Sequence, residues 1–170
     1  GLKKRVDDTS QFGEATLLAA ILDKIGTNQT WCFECGASEP EYNSTTKLFR
    51  DQQWQTVLIE KDPGKAKLLR SRAGPWAVVI EQEATDLDAI LAEVRCPWCR
   101  SRFPYHADFG VIDVDGQEWH LWKRMHVYTP RIMVVECWPY DDDAPPPEPG
   151  GKGQAGEHAP RFRPVRDDLR

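Results

Sequence analysis

An α+β fold is what this sequence predicts, and three observations predict it. Two cysteine couples, Cys32-Phe33-Glu34-Cys35 and Cys96-Pro97-Trp98-Cys99, each hold two residues between their sulfurs, a spacing that lets a short turn aim both at one cation. The 60 residues between the couples, 36–95, read as β-α-β-α. Apolar segments beyond the second couple read as an antiparallel β-meander. The expected architecture is a metal site split by the 36–95 insert, then the meander, then a disordered C-terminal tail.

Each element has its own signal. Ser10 is placed to cap a first helix, with Glu14 in its first turn. Leu17, Leu18, Ile21, Leu22 and Ile25 recur at helical spacing, and Gly26 is a stop. The helix leads into the first couple. Gly36–Thr46 is a polar loop. Trp54–Glu60 and Pro75–Glu81 read as strands, with a turn at Asp62-Pro63-Gly64 and a short helix Lys65–Arg72 between them. Thr85 is placed to cap a further helix, whose face is Leu87, Ile90, Leu91 and Val94. Phe109–Val114 and Glu118–Lys123 flank Asp115-Gly116, a hairpin signal, and Ile132–Trp138 reads as the last strand. Residues 1–139 are expected to form one domain. From residue 140 to 170 the acidic, proline and glycine runs (Asp141–Asp143, Pro145–Pro147, Gly150-Gly151) cannot build a core, so a disordered tail is expected.

Composition narrows the class. The chain has 170 residues and a net charge of −5, which argues against a general polyanion binder. Cysteines in C-x-x-C couples suggest a reducing compartment, and no apolar run is long enough to span a membrane, so a cytoplasmic protein is expected. The odd cysteine, Cys137, is read as a buried small hydrophobe in the last strand.

Around the couples the chain resembles the zinc-ribbon and rubredoxin-like proteins. Trp31 precedes C-x-x-C-G at Cys32–Gly36, and Cys96–Phe103 reads C-P-x-C-x-x-x-F, together about a dozen residues. Arg100 stands where ribbons usually carry a second glycine. The resemblance implies a tetrahedral site made by Cys32, Cys35, Cys96 and Cys99. Four thiolates leave zinc no open position, so such an ion is structural. The same thiolates bind iron, which makes a rubredoxin-like electron carrier one alternative.

Several enzyme classes are excluded. Residues 36–95 contain no histidine, against an HNH-type nuclease. No H-x-E precedes a P-C-x-x-C, against a zinc deaminase. Leu121 occupies the glutamate position of an E-x-K nuclease strand that would otherwise use Asp113 or Asp115 and Lys123. No P-loop, dinucleotide glycine pattern or serine elbow occurs. Lys65, Lys67, Arg70, Arg100 and Arg102, with Trp98, Phe103 and Tyr105 nearby, compose a basic-aromatic set suited to phosphates and bases. The expectation is a non-enzymatic, zinc-stabilised interaction protein that docks on a protein assembly, one that processes nucleic acid being a natural candidate. Direct DNA or RNA binding through those five cations is the other alternative.

Overall fold

A computed structural model describes residues 3–137. The expected tail at 140–170 lies outside them. The chain alternates helix and strand: α1 (Glu14–Ile25), β1 (Trp31–Cys35), α2 (Lys47–Asp51), β2 (Gln55–Glu60), α3 (Pro63–Arg72), β3 (Ala77–Glu81), α4 (Leu87–Glu93), β4 (Phe109–Ile112), α5 (Glu118–Arg124) and β5 (Ile132–Val135). The strands form one five-stranded sheet in the order β3-β2-β1-β4-β5, and every pairing is parallel.

This is an α/β fold, which corrects the α+β expectation on three counts. The first couple is not a metal-binding turn between a helix and a loop. It is the central strand, paired with β2 on one side (Cys32 opposite Thr56) and β4 on the other (Cys32 opposite Phe109). The segment 36–95 does read β-α-β-α, but its strands extend the same sheet instead of standing as an insert in a ribbon. No antiparallel meander exists among the described residues. Asp115 and Gly116 do turn the chain, with φ of 59° and 102°, but they deliver it into α5 where a returning strand was expected. A parallel partner requires such a crossover, and α5 supplies it between β4 and β5.

Helices cover both faces. On one, α4 (Leu87, Ile90, Leu91) and α5 (Leu121) pack on Trp31, Phe33, Val57, Ile59 and Ile112, with Phe103 and Tyr128 closing the margin. On the other, α1 (Ala15, Leu18, Leu22) and α2 (Leu48, Phe49) pack on Cys32, Phe109 and Val111, while Leu69 and Ala73 of α3 meet Leu58. Strands buried on both faces read as continuous apolar runs, as all-buried β1 does apart from Glu34. Each fully buried large side chain contributes roughly 1.5–3 kcal/mol.

The caps are local. Asp62 accepts the Lys65 N–H (2.8 Å) at the start of α3, and Asp86, not Thr85, accepts that of Ala89 (3.0 Å) at the start of α4. Gly13 stands at the head of α1, where Ser10 was expected. Ser10 instead donates to buried Asp8, which also takes the Thr16 N–H (2.8 Å) and so ties the N-terminal segment to α1. Asp108 is fully buried at the entry to β4. It accepts the N–H groups of Asn28, Gln29 and Thr30 (2.7–2.9 Å) and pairs with Arg131 (2.7 Å). Its carboxylate therefore joins the beginnings of β1, β4 and β5. Among the described residues no helix is long and apolar enough to cross a membrane.

Candidate functional site

The strand order reverses at β1: the chain runs outward through β2 and β3, then returns to lay β4 on the other flank of β1. In open parallel sheets the carboxyl ends of the strands at such a reversal leave a crevice, because the loops on either side diverge. Here that crevice exists. It opens over Cys35, Gly36, Glu60, Lys65, Glu83 and Asp113, with a cavity of about 120 Å³ that is open to solvent.

Its floor is set by backbone. Gly36 follows β1 at φ 87° and donates its N–H to Ile59 O (2.9 Å), while the Asp113 N–H reaches Cys35 O (3.0 Å). A Cβ built on Gly36 would stand 1.7 Å from Asp113 O, so only glycine fits between the ends of β1 and β4. Glu60 ends β2 with its carboxylate on the crevice wall, and its Oε1 accepts the Asp62 N–H (2.8 Å). Lys65 reaches over from α3 and donates to Ser38 Oγ (2.8 Å).

The opposite wall is acidic. Asp113 ends β4 beside Glu136 at the end of β5, and Glu118 lies close by, the three carboxylates within 4.8 Å of one another. Glu118 is buried and spoken for, because it accepts the N–H groups of Val114 (3.0 Å) and Gly116 (2.9 Å) and thereby holds the 113–116 turn. Burial, then the hydrogen bond and charge of Asp113, push the Glu136 carboxyl up to about 7, and desolvation also raises Asp113.

One potential phosphate cradle is already filled. The turn Ser44-Thr45-Thr46 leads into α2, but its donors are aimed at Glu34 of β1. Thr45 N–H (2.9 Å), Ser44 Oγ (3.0 Å) and Thr46 Oγ1 (2.5 Å) all donate to that buried carboxylate, and Arg50 reaches the Ser44 hydroxyl (3.0 Å).

The residues singled out from sequence are dispersed. Cys32 and Cys35 lie on a strand three positions apart, so they point to opposite faces, Cys32 toward Phe49 and Phe109 and Cys35 toward the α4–α5 side. Burial pushes each of these thiols up to about 12. Cys96 and Cys99 do share one turn, after α4. Among the described residues the three acidic side chains named above form a group close enough to share an ion, whereas the four cysteines do not. Cys137 is exposed, not buried. Lys65, Lys67 and Arg70 lie on α3, over one face of the sheet, and Arg70 pairs with Glu81 (2.7 Å). Arg100 and Arg102 follow α4, with Arg100 beside Val78, Ile80 and Gln82 along β3.

Sequence reasoning passed over Gly36, Glu60, Asp113 and Glu136 as a set. The available signal was a short buried strand ending in glycine, then an acid 24 residues later at the end of the next strand. No family model, curated protein or solved structure matches the chain.

Proposed function

We propose that the crevice binds a nucleoside cofactor that carries no phosphate, with Glu60 accepting hydrogen bonds from the ribose hydroxyls. The observation that carries this reading is Glu60 itself, a carboxylate at the end of β2, beside the reversal point and 24 residues beyond the Gly36 turn. That is where doubly wound sheets of this strand order hold the acid that reads a ribose.

The rest of the crevice narrows the ligand. A pyrophosphate needs free N–H groups at a glycine-rich turn opening a helix. Here α2 begins 11 residues after Gly36, is five residues long, and the hydroxyl-rich turn before it is taken by Glu34. The walls carry Glu60, Glu83, Asp113 and Asp115 against Lys61 and Lys65, a balance that favours a cation over a polyanion. S-adenosylmethionine, a sulfonium nucleoside, fits that description, and the activity that goes with it is methyl transfer. The zinc-held docking reading depended on four sulfurs meeting. With Cys32 and Cys35 on opposite faces of β1 it has less support than the crevice.

Calorimetry on the full chain tests the proposal. S-adenosylmethionine and its demethylated product should bind, and NAD and ATP should not. Glu60→Gln should weaken binding roughly 10–100-fold, the worth of a hydrogen bond to a charged group. ATP or NAD binding as tightly, no binding of either sulfur nucleoside, or indifference to Glu60→Gln would overturn it.

A further inference from the structure

Cys96 and Cys99 are left unused by the crevice, and their geometry differs from that of the first couple. The turn that holds them is closed at both ends. Cys96 N–H donates to Ser101 O (2.8 Å), Arg100 N–H donates to Cys96 O (3.1 Å), and Arg100 adopts φ 62° to allow it. Arg95 and Arg102 bridge as an antiparallel pair at the base. Inside this loop the Cys99 N–H points at Cys96 Sγ (3.5 Å), so one turn carries both sulfurs. Their exposures are opposite. Cys96 is 1% exposed, its Sγ facing Gln55 Oε1 (3.3 Å), whereas Cys99 stands in solvent beside Ser101 Oγ (3.1 Å). Arg95, Arg100 and Arg102 make the neighbourhood cationic, which favours a thiolate at an accessible sulfur.

We infer that Cys96 and Cys99 are a reversible thiol–disulfide couple that exchanges with small disulfides of the glutathione class, Cys99 attacking and Cys96 resolving. The step balances. Cys99 gives up its proton and its sulfur attacks one sulfur of the small disulfide, whose S–S bond breaks. A mixed disulfide forms at Cys99, and the first small thiol leaves with that proton. Cys96 then attacks the Cys99 sulfur, the mixed disulfide breaks, and the second small thiol leaves with the Cys96 proton. The protein pair loses two electrons and the small disulfide gains them. Burial gives Cys96 its role, because a reagent in solvent can reach it only through Cys99. The first couple cannot do this, since Cys32 and Cys35 face away from each other across β1.

The test uses the full reduced chain in buffer containing a chelator, incubated with oxidised glutathione and mapped by peptide mass spectrometry. A Cys96–Cys99 disulfide reversed by dithiothreitol is expected. Cys96→Ser should stop at a glutathione adduct on Cys99, and Cys99→Ser should leave Cys96 unmodified. Mapping of the unaltered chain decides the matter even if the Cys96 variant folds poorly. A glutathione adduct that persists on Cys99 with Cys96 intact, direct modification of Cys96, or stoichiometric zinc on these thiols in the purified protein would overturn the inference.

Discussion

Gly36 and Asp113 meet backbone to backbone, with the position of a Gly36 Cβ falling 1.7 Å from the Asp113 carbonyl oxygen. This contact closes the floor of the crevice and joins the ends of two strands 77 residues apart in sequence. Gly36→Ala combines a positive φ with a backbone collision that no rotamer relieves. A loss of about 2–4 kcal/mol is expected, read from the midpoint of urea unfolding. Nucleoside binding should fall with it, even in the fraction that folds.

Asp108 is the second fixed point. Asp108→Ala would take the shared acceptor from three N–H groups and from Arg131, which keeps Gly26 O and Ile25 O. The expected cost is about 1–3 kcal/mol by chemical denaturation. Asp108→Asn, which keeps one acceptor oxygen, should cost less.

The closeness of Asp113 and Glu136 predicts a pH dependence. Glu136 binds its proton more tightly in the folded chain, where its carboxyl is raised to about 7, than in the unfolded one. The folded state is therefore favoured at low pH, and that contribution is lost as pH rises through about 7. Glu136→Gln should match the unaltered chain well below pH 4.5, the ordinary value of the free carboxyl. At pH 8 it should melt a few degrees higher, about 1 kcal/mol after allowance for solvent screening. Equal melting shifts at both pH values would show that folding does not raise the Glu136 carboxyl.

Thiol accessibility gives a further measurement. Cys32 and Cys35 are buried with thiols pushed up to about 12, whereas hydrogen bonds from Ser101 and Cys96 bring exposed Cys99 down to about 7. Titration of the native reduced chain with a chromogenic disulfide should give a fast phase from Cys99, with a second thiol released as Cys96 resolves it, and from exposed Cys137. Cys32 and Cys35 should react only on unfolding. A fast phase that includes Cys32 would mean that β1 is not the central strand.

Helices α1, α3 and α4 and strands β2 and β3 were legible because their signals are local. The Leu87-Ile90-Leu91-Val94 spacing and the apolar runs of β2 and β3 each decide their own conformation. The direction of strand pairing was not legible, since it depends on partners far apart in sequence. Asp115-Gly116 shows the difficulty: the left-handed turn is real, but Glu118, Leu121 and Met125 continue at helical spacing into α5, where the turn alone suggested a hairpin. The C-x-x-C spacing of the first couple misled for a related reason. Trp31, Phe33 and Cys35 belong to one core and Cys32 to another, a division visible only once both faces of β1 are covered. Among the site residues, Glu60 could be placed at a strand end from sequence, but its neighbours Gly36 and Asp113 are brought to it only by the strand order.

That order also governs when the molecule becomes safe during synthesis. The central strand β1 is made early, and β2 and β3 can join it as soon as they emerge. Its other edge stays open until Phe109–Ile112 has been made, because β4 alone pairs there. Until then Trp31–Cys35, a largely apolar strand bearing two thiols, is presented to other nascent chains. Release at residue 107 would strand the protein in that state, so the end of the described chain, from β4 onward, serves as the shield for its first strand.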